Sequence, residues 1–174
     1  MSEFVGIGVP AFRGAAYIAE TLRSLQRQTH RDLDVTISVD GADEETAAAC
    51  APFLEDSRFR MVIQPTRLGW ARNTSWVMAQ NECPFWYYQA QDDLVDPDYV
   101  SALLAHAREN PQAAVTFCDI QCFDQSADYI QQNPVLGPAA AREIALIVAH
   151  HAAVALRGLT RQDALRQTRG LREN

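Results

Sequence analysis

Apolar positions along this chain come first as short β-branched or aromatic runs and then at helical spacing, and the two patterns alternate from residue 5 to residue 123. Short apolar runs bounded by Gly, Pro, Asn or Asp predict strands, and a period near 3.6 predicts helices. Strands are therefore expected over 5–12, 35–40, 59–64, from 85, and over 113–123. Helices are expected over 14–28, where Ile18, Leu22 and Leu25 share one face, and over 44–53 and 69–80. A further helix opens after Pro97 and carries Tyr99, Leu103 and Ala107 on an apolar stripe, with Val100 and Leu104 beside it. This alternation implies an α/β fold, a mostly parallel, Rossmann-like sheet flanked by helices on both faces. Right-handed crossovers bring the loops that follow the strands to one edge. The most apolar stretch, 144–156, is too short to span a bilayer and is broken by His150 and His151, so a buried helix is expected there and the two histidines read as helix residues.

Composition narrows the classes. A chain of 174 residues with 48% hydrophobic and 21% charged residues fits one globular domain with a sizeable core. The net charge of −7 and pI near 5.0 argue against nucleic acid or an anionic bilayer as partner. All 15 basic residues are Arg. Without Lys there is no GxxxxGK phosphate loop, no Schiff-base chemistry and no kinase strand lysine. Phosphate must be met by Arg, backbone N–H groups or metal. Cys50, Cys83, Cys118 and Cys122 lack zinc-site spacing and are expected as reduced, mostly buried thiols. The first strand begins within a few residues of Met1, leaving no room for a signal peptide, and a cytoplasmic protein is expected, with peripheral membrane association left open. Asn73-Thr74-Ser75 matches a glycosylation acceptor only formally.

The candidate chemistry lies in Gln89-Ala90-Gln91-Asp92-Asp93-Leu94-Val95-Asp96-Pro97, where two adjacent carboxylates end the aromatic strand Phe85-Trp86-Tyr87-Tyr88 and precede a helix. In open α/β sheets ligands bind beyond the carboxyl ends of the strands. Magnesium and manganese take hard oxygen ligands, often one or two carboxylates completed by substrate phosphates and water. Neighbouring residues of extended chain point apart, so one acid can take a metal while the other takes a ribose hydroxyl. The alternative is a solvated acidic loop in which Asp96 and Asp98 cap the helix. Two further loops belong at the same edge, Pro10-Ala11-Phe12-Arg13-Gly14 and Asp40-Gly41-Ala42-Asp43. Phe12 suits the support of a base and Asp40 suits a pyrimidine ring N–H, although Asp40-Gly41 also reads as an ordinary turn.

Taken in order, these segments resemble family 2 glycosyltransferases of the GT-A fold, over about 5–123. Val9-Pro10-Ala11-Phe12 is similar to the family's strand ending in Pro-x-Tyr-Asn. Leu25-Gln26-Arg27-Gln28-Thr29 resembles its "sl..Qt" helix end, and Val39-Asp40-Gly41-Ala42 its "DDGS" turn. Arg67-Leu68-Gly69-Trp70-Ala71-Arg72-Asn73 resembles "N.G...arN", and Ala90-Gln91-Asp92-Asp93 with Pro97 resembles "DxDD...P". Val39, Arg13, Ala90 and Arg67 depart from the family residue.

The resemblance implies a nucleotide-sugar (donor) binding region over 1–124 and the start of an incomplete acceptor-binding region over 125–174. It implies nucleotide contacts from Pro10, Ala11, Phe12, Asp40, Arg72 and Asp92. It implies Mn2+ or Mg2+ on Asp93 with Asp92, and inverting transfer from a nucleotide-diphosphate sugar, UDP foremost, to a glycan, lipid or polysaccharide hydroxyl. Arg72 reads equally as a surface ion-pair residue. The family's catalytic base falls in an acidic segment downstream. The stretch from 155 to 174 looks like the approach to it, and Glu173 reads as a terminal solvated acid. A nucleotide-sugar-binding module without turnover, and an unrelated doubly wound domain with structural acidic turns, are the competing readings.

Overall fold

The computed structural model describes residues 3–123, 128–131, 138 and 156–167. Strands β1 (Val5–Ala11), β2 (Leu33–Val39), β3 (Phe59–Ile63) and β4 (Phe85–Tyr88) alternate with helices α1 (Ile18–Gln26), α2 (Glu44–Cys50), α3 (Trp70–Ala79) and α4 (Tyr99–Glu109). A 3-10 turn, Ala51–Glu55, continues α2 where the sequence predicts one helix to residue 53. After α4 come β5 (Val115–Thr116), β6 (Ile120–Phe123), β7 (Asp128–Gln131), β8 (Leu159–Arg161) and a short helix α5 (Gln162–Leu165).

The main sheet has six strands in the order β3-β2-β1-β4-β8-β5. The first four are parallel, with Val5 opposite Leu33 on one side of β1 and opposite Phe85 on the other. β8 enters antiparallel between β4 and β5. The fold is thus the mixed, mostly parallel α/β sheet expected. Successive crossovers run outward from β1 to β2 and β3, and the chain then returns to place β4 on the opposite side of β1. The loops after β1 and β4 diverge there, at the switch point where open α/β sheets bind ligands.

Every residue of β1 is buried. Val5, Ile7 and Val9 belong to the larger core with Ile18, Leu22 and Leu25 of α1, the i, i+4, i+7 stripe the sequence predicts. Burial of each such side chain stabilises by about 1.5–3 kcal/mol, which holds α1 on the sheet although its start has no side-chain cap. On the other face, α3 can approach β1 because Gly6 and Gly8 lack side chains. A Cβ on Gly8 would meet Val77 Cγ2 at 2.8 Å, and one on Gly6 would meet Asn81 Oδ1 at 1.9 Å. Val77, Trp86, Tyr88 and Ala90 form a second core under α3.

One expected strand, 113–123, is two. Val115 and Thr116 pair with Thr160 and Leu159 in the main sheet, and residues 117–119 then carry the chain out to a separate β6-β7 ribbon. The run is mostly apolar, with Asp119 its one charged residue, and its periodicity does not mark the break. Cys118 lies in the break and is exposed, Cys122 is half-buried, and only Cys50 and Cys83 are buried, fewer than expected. Asn73 is only 2% exposed, which places the formal glycosylation acceptor inside the fold. Among the described residues no helix is long and apolar enough to cross a membrane. The expected helix over 144–156 with His150 and His151, and Glu173, lie outside the described residues apart from Leu156.

Candidate active site at the ends of β1 and β4

The loop between β4 and α4 carries Asp92 and Asp93, and three glutamines hold it. Gln91 spans the switch point, with its Oε1 accepting from Phe12 N at 2.9 Å and its Nε2 donating to Phe12 O at 3.0 Å. Gln89, 2% exposed, donates to the carbonyls of Ala90 and Asp93 at 3.1 and 2.9 Å. Gln28, fully buried at the end of α1, donates to Asp96 O at 2.6 Å and accepts from Val100 N at 3.0 Å. A side-chain amide has both donors and an acceptor, so one residue can satisfy orphan groups of opposite sense. Gln28 is therefore the cap of α4. Asp98 makes no side-chain cap bond, and Asp96 contributes its carbonyl to Tyr99 N. The capping role that would make Asp96 and Asp98 merely structural belongs instead to Gln28, because the end of α1 packs against that turn.

Asp92 is exposed and Asp93 half-buried. The Asp93 carboxylate accepts from Arg157 Nε just before β8, an ion pair whose side chains are 39% and 33% exposed. Both acids and Arg157 wall a groove of about 1100 Å³, together with Tyr88, Tyr99, Phe117 and Ile120. Burial raises the Tyr88 hydroxyl's pKa, partly offset by the hydrogen bond from Trp70 Nε1 at 3.3 Å. Among the described residues no three His, Cys, Asp or Glu side chains form a ready-made cage for a metal. Two adjacent carboxylates at an open groove instead fit an ion that keeps several positions for phosphate and water, as Mg2+ and Mn2+ do.

The other predicted residues lie outside the groove's walls. Pro10 and Ala11 are buried in β1, in register with Ser38 and Val39. Phe12 is half-buried, and the Arg67 and Arg13 guanidinium carbons stand 4.1 and 5.2 Å from its ring centroid. Cations over an aromatic face are attracted by its quadrupole, so Phe12 gathers two of the charges an anionic ligand needs. Arg13 has φ 50°. The left-handed region favours Gly and Asn, which makes Arg costly there. Its N–H donates to Asp43 Oδ2 at 2.5 Å, and the other Asp43 oxygen caps α2 by accepting from Thr46 N at 3.2 Å. Burial raises the Asp43 pKa, but the bonds from Thr46 and Arg13 outweigh it and the carboxyl titrates below its ordinary value.

Asp40 is 3% exposed, and its two oxygens accept from Leu68 N at 2.5 Å and Gly69 N at 2.9 Å. It fixes the segment that presents Arg67 and leads into α3. A base N–H would have to reach the lone pairs that these bonds leave. Beneath it, Ser38 Oγ donates to Asn73 Oδ1 at 2.6 Å and accepts from Gln64 Nε2 at 2.9 Å, a buried polar network joining β2, the end of β3 and α3. Arg72, in the first turn of α3, is exposed and has no ion-pair partner among the described residues. Sequence reasoning missed Arg157, and nothing near it in the chain signals its proximity to Asp93. It also missed the roles of Gln28 and Gln91, although both lie in segments singled out by pattern.

Comparison with known proteins places this geometry. Glycosyltransferase GlyG of Streptococcus pneumoniae serotype 4 is 22% identical over 127 residues, which cover 72% of this chain and 42% of that protein. TarS of S. aureus superposes with a TM-score of 0.69 at 17% identity, covering 90% of this chain and 28% of TarS. A shorter TarS, residues 1–349, solved in complex with UDP-GlcNAc, gives 0.67 at 17% identity over 76% of this chain and 38% of that one. Mannosyltransferase PcManGT from Pyrobaculum calidifontis, in complex with GDP-Man and Mn2+, gives 0.68 at 16% identity, covering 95% and 46%. These likenesses show a shared GT-A fold, and the chain spans less than half the length of each of these proteins. The profile of glycosyl transferase family 2 matches residues 7–166, from β1 through the acid loop to just past α5, and the chain belongs to that family.

Proposed function

We propose that this chain binds a nucleotide-diphosphate sugar and forms the donor side of an inverting, metal-dependent glycosyltransferase, with residues 1–124 as donor region and the acceptor region beginning at 125. The observation that carries the reading is the acid pair at the switch point of a family 2 fold, bordering a groove large enough for a sugar. Asp93, with Asp92, would hold Mn2+ or Mg2+, and Asp92 would also take a ribose hydroxyl. The chemistry such an ion would supply is offset of the charge on the departing diphosphate, where even two unit charges about 4 Å apart at an effective dielectric of about 20 interact by about 4 kcal/mol. The chain's own residues supply the rest. Gln91 keeps the base-side loop and the acid loop in one register, Arg72 offers an exposed cation with no ion-pair partner among the described residues, and Phe12 with Arg67 offers a base a stacking platform. Pro10 and Ala11 shape the strand end beneath it, and Asp40 is the candidate for a base N–H. Inversion needs a carboxylate to take the acceptor's proton from the face opposite the leaving group. Support for the donor chemistry comes from solved relatives carrying UDP, UDP-GlcNAc and GDP-Man. UDP is the first nucleotide to test, and the acceptor is a glycan, lipid or polysaccharide hydroxyl in the cytoplasm or at its membrane face.

The competing reading is a donor-binding module without turnover of its own. Titration calorimetry with UDP, in the presence and absence of Mn2+, tests what both share: binding should need Mn2+ and be lost in Asp93→Ala. UDP affinity unchanged by that substitution removes the metal assignment. Release of UDP from a UDP-sugar by the 174-residue chain separates transferase from module.

A further inference from the structure

We propose that Arg157 is a positioning residue that holds Asp93 in the donor-free protein and passes to the donor's diphosphate as the metal takes Asp93, so that metal and nucleotide bind as a coupled pair. The inference rests on the donor-binding reading above. Its geometry is that of an exchangeable partner on a fixed mount. The Arg157 carbonyl accepts from Tyr99 Oη at 2.6 Å, and the next residue, Gly158, is buried so tightly that a Cβ there would meet Thr116 O and Val115 Cγ1 at 2.8 Å. The backbone is held on both sides while the guanidinium reaches the groove, a third exposed. Half-exposed ion pairs contribute little to stability, so changing partners disturbs the fold little.

The charges set the order of events. With Arg157 Nε on Asp93 Oδ2, an arriving dication meets a cation already at that carboxylate, and one carboxylate charge cannot balance both. A diphosphate supplies the missing anion. Its oxygens suit the planar guanidinium fork and at the same time ligate the metal, so each cation gains a partner when the other binds. Coupling of this kind is reciprocal: the factor by which nucleotide tightens metal equals the factor by which metal tightens nucleotide.

The test measures free Mn2+ by electron paramagnetic resonance over the full chain, with and without saturating UDP. In the unmodified protein UDP should tighten Mn2+ by about tenfold or more. In Arg157→Gln, Mn2+ alone should bind more tightly than in the unmodified protein, UDP more weakly, and the coupling factor should fall severalfold, leaving the part that direct ligation of the metal by the diphosphate supplies. Arg157→Lys keeps the charge and should keep Mn2+ weak in the absence of UDP. A merely structural role would weaken both ligands together, and that result, or an Arg157→Gln titration identical to the unmodified protein's, overturns the proposal. If Mn2+-dependent UDP binding is present and lost in Asp93→Ala while Arg157→Gln behaves normally, this inference alone fails. If the unmodified chain binds neither UDP nor Mn2+, the donor-binding reading fails and this one with it.

Discussion

Single residues at this site carry more than the chemistry their type suggests. Asp40, marked for base recognition, also spends its carboxylate on two backbone N–H groups of the segment before α3, so any role toward a nucleotide is added to a structural one. Asn73 lies in the family-like "arN" segment, yet it is buried and joins Ser38 and Gln64. Arg13 stands where the family has Asn, and its φ of 50° explains the difference in cost, since Asn enters the left-handed region readily and Arg does not. Arg13→Asn should therefore raise stability by about 0.5–1 kcal/mol, measured by urea unfolding, while removing one cation beside Phe12. An unchanged or lower midpoint would mean that the Arg13 contact with Phe12 offsets the strain.

At the scale of elements, the acid loop is a rigid connection built from side-chain amides. Gln28 at the end of α1 satisfies the start of α4, and Gln91 ties the loop to the end of β1. Gln28→Ala leaves the buried Val100 N–H without its partner, takes one of two donors from the Asp96 carbonyl, and empties a fully buried side-chain site. It should cost about 2–4 kcal/mol. Amide hydrogen exchange should show faster exchange concentrated at the first turn of α4. Uniform acceleration across the sheet would instead indicate global loosening. The strands and helices up to α4 were legible because each has a local period and a local stop signal. The division of 113–123 was not, because both halves have the same mixed strand-like pattern and it is their partners, β8 and β7, that differ.

For the molecule as a whole, acid sensitivity has an identifiable contributor. The bidentate hydrogen bond from Arg58 lowers the Asp56 carboxyl from 3.8 to about 2, and Arg58 also donates to Gln26 O at 3.0 Å, tying α1 to the turn before β3. A depressed folded-state pKa gives stability that is present above the unfolded value and lost as pH falls from 3.8 toward 2. Asp56→Asn should cost on the order of 1–2 kcal/mol at pH 7 and show a flatter loss of stability between pH 5 and 2, read from urea midpoints. Parallel acid limbs would exclude the pair as the cause. From the sequence alone came the strand and helix order, the edge where loops converge, the lack of any lysine to meet phosphate, and the acid pair within a family-like series of motifs. These depend on periodicity, turn chemistry and residue type, all of which act within a few positions. Tertiary structure decided which groups those residues meet. Arg157 lies 64 positions from Asp93, Phe12 lies 79 from Gln91, and Gln28 lies 72 from Val100. Contacts at such separations arise only when the sheet closes and brings strand ends together, so no local pattern could announce that a cation already holds the candidate metal ligand.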